Sequence, residues 1–446
     1  MAATTQEIKK ESSILLKLGG PIIATQLMRM GLNFTDTVMA GNLSALDLAG
    51  VAIGNAMYLP LSIFCMATLI AINPIVSEHL GARRFKEIGT SARQMFWLVL
   101  MLTVPTFFLT RNLDIIMNIV GVTDEIVPIA TDYLKAISWG LLPLFAYAGV
   151  RYFSEGLSVT KPAMYIAAVS LVLNVGANYI FMYGGLGITG MGAVGAGYAT
   201  SLINLFAAIV FIGFMINFKP FKRFDIFART KGPDLKIFSE FLKVGLPNGA
   251  STAMEILLFA SVSVLMGTLS VEASASHQIA INVAATLFMI PFGLSMAITQ
   301  RVGFSIGQGS LSKARLRGFI GIGMCASIMT LTAVMLFSIP ETIIGIYTDD
   351  PLVSKMSVSL LFMAGLFQIS DGLQVGGFGA LRGLKDTRTP MIVNFIAYWL
   401  IGFPIGYYLG IISDFGPEGL WIGLISGLSV AAILHNFRFH ILTAVD

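Results

Sequence analysis

Long uncharged runs, separated by short clusters of charge, set the pattern of this chain. No Asp, Glu, Lys or Arg occurs from Pro162 to Phe218, from Leu48 to Ser77, from Ala273 to Gln300 or from Thr389 to Ser413. The apolar core of a bilayer takes about 20 residues of helix, so each run holds at least one span and the longest holds two. The period-two alternation of a transmembrane β-barrel is missing from these solid runs. Breaking the chain at charge clusters and Gly/Pro turns predicts twelve helical spans, near 14–40, 47–76, 92–112, 126–149, 162–184, 192–217, 239–266, 273–299, 317–339, 352–380, 390–412 and 418–438. The uncharged turn from Gly184 to Gly190 joins spans 5 and 6 as antiparallel neighbours.

Composition agrees. Of 446 residues, 56% are hydrophobic and 12% charged, where soluble domains carry roughly 25% charge. Cys65 and Cys325 lie inside apolar runs and read as small core residues, too few for a disulfide framework. The net charge of +4 needs no nucleic acid to account for it. Residues 1–13 are polar, and the apolar stretch after them is long and lacks a small-residue cleavage pattern. It reads as a permanent span and not a signal peptide.

Lysine and arginine orient the spans. They crowd the even-numbered loops: Arg83, Arg84, Lys86 and Arg93 after span 2, Arg151 and Lys161 after span 4, and Lys219 to Lys236 after span 6. The series continues with Arg301 to Arg317 after span 8 and with Arg382, Lys385 and Arg388 after span 10. The odd-numbered loops offer Arg111 and Lys355. This asymmetry predicts that both termini are cytoplasmic.

A shift of 226 residues brings the two halves into register. Leu16 to Pro21 meets Leu242 to Pro247; Gly41, Leu43 and Ser44 meet Gly267, Leu269 and Ser270; and Gly81 meets Gly307. The expected domains are an amino-terminal six-helix lobe, 1–217, a basic cytoplasmic linker, 218–238, reading as a flexible tether, and a carboxy-terminal six-helix lobe, 239–446. Six spans per repeat is an even number, so both copies enter the membrane in the same sense. Transporters built this way place the substrate site near the repeat interface and alternate access by rocking.

A charge at the centre of a span costs about 2.5–3.5 kcal/mol on insertion scales, so it needs a partner or a task. Glu255 lies mid-span 7 and Asp371 in the second half of span 10, as ion or substrate groups or as a structural pair. Asp36, near the end of span 1, is an ion site or a partly wet cap. Asn174 and Asn178 lie one turn apart on one face of span 5 and, with Thr200 of span 6, are placed to surround Asp36 or to join helices. His277, Gln278 and Asn282 of span 8 read as a similar polar group, and a lone His277 makes a poor metal site. Arg29 aligns with Glu255 under the repeat, so the halves differ chemically. It is expected to line a cavity or to pair with an acid elsewhere. The 23 methionines suit an adaptable apolar cavity, and equally suit packing. No metal-ligand spacing, P-loop or nucleophile–base arrangement points to an enzyme or to ATP, which leaves an ion gradient as the energy source.

Several phrases together carry a family resemblance: Thr35-Asp36-Thr37-Val38-Met39-Ala40-Gly41, Ser158-Val159-Thr160-Lys161-Pro162, and His277-Gln278-Ile279-Ala280-Ile281-Asn282. Two more follow, Asp371-Gly372-Leu373-Gln374 and Ala380-Leu381-Arg382-Gly383-Leu384-Lys385-Asp386. Over nearly its whole length the chain resembles the multidrug and toxic compound extrusion (MATE) family, in its NorM-like branch. The resemblance implies an all-α integral membrane protein of twelve helices in two lobes, acting as a multidrug efflux antiporter coupled to Na⁺ or H⁺. Its implied setting is the bacterial cell inner membrane, as a monomer amid membrane lipid, with lipophilic or cationic drugs as substrates and no cofactor. It points to Asp36 with Asn174, Asn178 and Thr200 as one cation or proton site, and to Glu255 with Asp371 as a sodium site. Two positions depart from the family pattern: Arg29 replaces an uncharged polar residue, and Phe367 replaces a tyrosine that assists cation binding. The competing class is a lipid-linked sugar flippase, which has more spans and a cationic cavity, whereas only Arg29 is obviously cationic in the core here.

Overall fold

A computed structural model describes residues 4–226 and 232–444. Every predicted span is helical. Spans 1 to 3 are Thr5–Gly41, Ala45–Gly81 and Phe85–Arg111, and span 4 is Ile126–Ser138 continued by Leu141–Gly156. Spans 5 to 8 are Lys161–Tyr183, Ala193–Asn217, Leu235–Leu269 and Val271–Gly307. Spans 9 to 12 are Leu311–Ser338, Pro351–Gly383, Arg388–Ile412 and Gly416–Leu442. Ten of these are single stretches long and apolar enough to cross a membrane. Span 1 carries Lys17, Arg29 and Asp36 within it, and span 4 is broken at Trp139–Gly140, where an added Cβ on Gly140 would come within 2.9 Å of the Ser201 backbone.

Large apolar side chains point outward along the spans. Val172 is 72% exposed, Val264 69%, Leu331 69% and Ile433 67%. Exposed apolar surface on this scale, on helices this long, is a surface built for lipid. The protein is an all-α, multi-pass membrane protein.

Packing divides the chain into two units, one of residues 24–245 and the other of 1–23 with 246–446. Both divisions fall beside prolines inside long helices, Pro21 in span 1 and Pro247 in span 7, at positions equivalent in the repeat. In the first unit, span 6 packs on spans 4 and 5, and span 2 packs on span 4. In the second, span 10 packs against spans 8, 9 and 12 around Leu294, Ile298, Leu381 and Phe439.

The repeat is legible in local geometry. Ser44 and Ser270, 226 residues apart, both cap the following helix from an extended backbone, accepting from Asp47 N at 2.9 Å and Ala273 N at 3.0 Å. Arg83 and Gly309, also 226 apart, both take positive φ, at 57° and 72°. Ser158 and Lys385, one residue out of that register, do the same at 65° and 61°. The turn between spans 5 and 6 is a small hairpin pairing Gly184 with Thr189 and Gly185 with Ile188. Its central residues Leu186 and Gly187 both have positive φ, as a tight hairpin turn demands.

Three expectations need correction. Arg151 and Arg382 are not loop residues: both lie within helices and are 4% and 2% exposed, because spans 4 and 10 run past their apolar stretches. Arg382 sits over Phe378 at 5.4 Å and donates to Thr299 Oγ1 at 3.0 Å. Arg29 is therefore not alone as a cation within the spans. The polar start of the chain is helical from Thr5, and Glu11 binds Arg301 through two contacts of 2.6 and 2.7 Å. The described flanks of the linker are packed rather than loose. Phe221, Phe224 and Ile226 are buried, Arg93 donates to Asp225 O at 2.7 Å, and Gln94 accepts from Asp234 N at 2.9 Å. Residues 227–231, also assigned to that tether, lie outside the described residues.

Candidate functional site

In the unit of residues 24–245, three helices converge on one carboxylate. Asp36 projects from span 1 and is 4% exposed. Helical spacing puts Asn174 and Asn178 on one face of span 5, and both reach Asp36 Oδ1 through their amide Nδ2, at 3.2 and 2.6 Å. Thr200 Oγ1 of span 6 donates to Asp36 Oδ2 at 3.0 Å. All four residues expected here are together. Asp36 is not a cap, because its partners are side chains of other helices and span 1 continues past it to Gly41. Among the described residues no lysine or arginine pairs with it, so its charge is met by neutral donors alone. Asn178 Oδ1 is buried and takes no hydrogen bond, leaving an oxygen free beside the carboxylate.

Sequence reasoning missed Asp47, which organises the end of this bundle. Ser44 Oγ donates to its Oδ2 at 2.6 Å, and its Oδ1 accepts from Ala193 N at 2.8 Å, the first residue of span 6. An acid three residues after a capping serine is the signal.

The same unit holds a cavity of about 670 Å³ bounded by spans 3, 4, 5 and 6 and lined by aromatic residues such as Phe107, Phe108, Trp139 and Phe181. Arg111 lies over Phe107 at 5.2 Å and over Trp139 at 5.7 Å. Neither Asp36 nor Arg29 lines it.

In the other unit, Glu255 of span 7 and Asp371 of span 10 are near enough to interact electrostatically, and the Tyr398 hydroxyl of span 11 interacts with both. Asp371 is 3% exposed and its Oδ1 has no hydrogen-bond partner. Neither acid pairs with a basic group among the described residues. Gln374, one turn after Asp371 in span 10, donates to Tyr398 Oη at 3.0 Å. Phe367, one turn before Asp371, is wedged between Phe259 at 5.9 Å and Trp421 at 5.8 Å, so it closes the apolar side of the site and offers no ligand atom.

Sequence reasoning passed over Tyr398 and Gln374. The signal was there, since Asn394 and Tyr398 lie one turn apart inside the uncharged run of span 11, the spacing that flagged Asn174 and Asn178. Both side-chain polar atoms of Asn394 are buried without partners.

His277, Gln278 and Asn282 do not form a group. His277 is 1% exposed, shares a 3.0 Å hydrogen bond with Ser263 and packs edge-on against Trp421. Gln278 and Asn282 are exposed, and Asn282 accepts from Tyr347 Oη at 3.1 Å. Steps of one and five residues rotate by about 100° and 140°, which carries both off the face of His277. Arg29 pairs with no acid among the described residues. Its neighbours are Met66, Tyr147 and a second arginine, Arg151.

Each unit therefore brings together buried carboxylates with hard oxygen atoms and, among the described residues, no basic partner, a chemistry suited to a proton or a cation.

A sequence model of the MatE family matches residues 21–180 and 247–408, one segment in each half. The chain is 35% identical to a probable multidrug resistance protein NorM of Acinetobacter baylyi, over 96% of this chain and 95% of the relative. It is 37% identical to the multidrug resistance protein MdtK of Yersinia pseudotuberculosis, with the same coverage. Among solved structures, the eukaryotic MATE transporter AtDTX14 superposes with a TM-score of 0.87 at 19% identity, covering 98% of this chain and 97% of that one. An outward-facing multidrug resistance MATE family transporter gives 0.87 at 19% identity, covering 99% of each chain. At that identity the solved structures speak for the fold alone.

Proposed function

Because this chain belongs to the MatE family, we propose that it is a secondary active multidrug efflux antiporter, exporting lipophilic, often cationic compounds in exchange for Na⁺ or H⁺. The observation that carries the reading is that no basic side chain among the described residues pairs with Asp36. Its carboxylate is buried among three neutral donors. An ionised carboxylate so placed costs several kcal/mol unless a cation arrives or a proton neutralises it. A coupling ion and a cationic drug therefore compete for the same negative charge. Occupation by the ion weakens the hold on the drug, and loss of the ion restores it. Competition of this kind is the chemical core of exchange.

Glu255 and Asp371 repeat the logic in the other unit with two acids in place of one. Two neighbouring carboxylates, one with an unpartnered Oδ1, and a tyrosine hydroxyl nearby offer oxygen atoms of the kind that suits Na⁺, and a single proton suffices to relieve the repulsion between the acids. The halves of the repeat, 1–217 and 239–446 joined by 218–238, are the working lobes in this reading. The protein acts as a monomer in the bacterial inner membrane with both termini cytoplasmic, as the loop lysines and arginines support.

Ethidium efflux from preloaded cells tests the roles of the acids. Asp36→Asn, Glu255→Gln and Asp371→Asn keep the shape of each side chain and remove its charge, and each is expected to slow efflux by about tenfold or more, the equivalent of 1.4 kcal/mol. Wild-type rates in all three variants would remove these acids from the mechanism.

A further inference from the structure

The exchange of drug for ion makes no use of the aromatic groove that spans 3, 4, 5 and 6 form in the unit of residues 24–245. The groove opens sideways, since Phe108 and Trp139 line it and are each 62% exposed. Its hydroxyls are already engaged. Thr103 Oγ1 donates to Val99 O at 2.7 Å, Ser138 Oγ to Lys135 O at 2.7 Å and Ser201 Oγ to Ala136 O at 2.9 Å. A groove whose hydroxyls are turned onto backbone carbonyls offers hydrocarbon contact along its length.

Its mouth differs. Arg111, the last residue of span 3, lies over two of the lining rings, Phe107 at 5.2 Å and Trp139 at 5.7 Å. Its Nη1 donates to Lys135 O at 3.3 Å and to Ser138 Oγ at 3.2 Å. Among the described residues Nε and Nη2 have no acceptor and no acid pairs with the guanidinium, while Lys135 is paired with Asp132 at 3.1 Å. The short helix that follows, Asp114–Val120, leaves Ile119 and Val120 exposed, which marks this end of span 3 as the bilayer surface. Phe337 stands 226 residues on, at the equivalent place in the repeat, and packs on Phe362 at 4.8 Å. The cation is therefore no requirement of the six-helix design.

We propose that this groove holds an anionic phospholipid, with an acyl chain along the aromatic lining and the phosphate on Arg111. The open side gives a lipid direct entry from the bilayer, and the lining suits its chain. The unpaired edge of the guanidinium fork suits a phosphate, which accepts two parallel N–H bonds. A cationic drug meets the reverse, because Arg111 repels it at the mouth. The inference does not depend on the efflux reading.

Trp139 reports on the groove. The protein is reconstituted in bilayers that contain phosphatidylglycerol or phosphatidylcholine with brominated acyl chains, which quench tryptophan on contact. The contribution of Trp139 is the difference between the wild type and Trp139→Phe. Its quenching is expected to favour phosphatidylglycerol by about fivefold or more in apparent affinity, the value of roughly one basic group at a membrane surface. Arg111→Gln is expected to bring the two lipids level, and Arg111→Lys, which keeps the charge without the fork, to retain part of the preference. Equal quenching by the two lipids in the wild type would overturn the proposal without recourse to any variant. So would a full preference that survives in Arg111→Gln, or the same preference at the tryptophans that remain in Trp139→Phe, which is a general attraction of anionic lipid to the whole surface. Quenching that shows no headgroup preference and is relieved by ethidium would assign the groove to drugs and overturn the proposal as well.

Discussion

Asp36 collects its donors from two other helices, and that convergence determines what each neighbour is worth. Asn178 makes the shortest contact, 2.6 Å, and also donates to Asn174 Oδ1 at 3.3 Å, so it ties the carboxylate to the rest of the site. A hydrogen bond to a charged group contributes roughly 1.5–3 kcal/mol. Asn178→Ala is therefore expected to reduce the initial rate of ethidium efflux severalfold while leaving expression intact; an unchanged rate would show that the amide only joins helices. This site was readable in the sequence because one-turn spacing places two amides on one face, and because carboxylates in uncharged runs are conspicuous. The trio at His277 misled because adjacency in sequence is not adjacency on a helix. Arg29 was conspicuous for the same reason as Asp36, but a sequence does not reveal that its neighbours are a thioether, a tyrosine and another arginine.

Helices make close contacts here through glycine. Spans 11 and 12 meet along Gly402, Gly406 and Gly410 on one side and Gly419, Gly423 and Gly427 on the other, each series stepping by four residues. An added Cβ on Gly419 would stand 2.6 Å from the Gly410 backbone, and one on Gly423 would run into Gly406. Small residues at this spacing let helix backbones approach in lipid, where there is no water to drive apolar surfaces together. Gly423→Val should destabilise the protein by about 1–3 kcal/mol or more through overpacking, read as a lower melting temperature in detergent. An unaltered melting temperature would mean that the two helices separate without cost. Glu11 offers a second check. It faces Arg301 at 2.6 Å and Arg317 at 3.5 Å, and Glu11→Gln leaves two partly buried cations uncompensated. A loss on the order of 3 kcal/mol is expected, and a melting curve that superposes on the wild type would contradict it. Spans were readable as uncharged runs, but their ends were not. A helix continues as long as its backbone bonds are satisfied, whatever the polarity of the next residue, and so Arg151 and Arg382 fall inside helices and not in loops.

The whole molecule repeats one six-helix design twice and then makes the copies chemically unlike. Capping serines and positive-φ turns recur at the same offset, so the repeat is carried by punctuation, which is the part of a sequence least free to drift when a turn must form. The polar groups within the spans do not recur: one unit has Asp36 with amides and a hydroxyl, the other has two acids and a tyrosine, and Arg29 stands where the repeat has Glu255. The division of the chain beside Pro21 and Pro247 was not foreseen, because each proline sits within a continuous helix and long-range packing decides where a compact unit ends. In the proposed reading these buried acids exchange a drug for an ion. Drug export from proteoliposomes of the purified protein, under an imposed Na⁺ gradient, an imposed H⁺ gradient or neither, is the test. Ethidium is expected to move against its own gradient only when at least one ion gradient is imposed, and not at all in the combined Asp36→Asn, Glu255→Gln and Asp371→Asn protein. Uphill movement that persists with no ion gradient, or that survives removal of all three carboxylates, would contradict it.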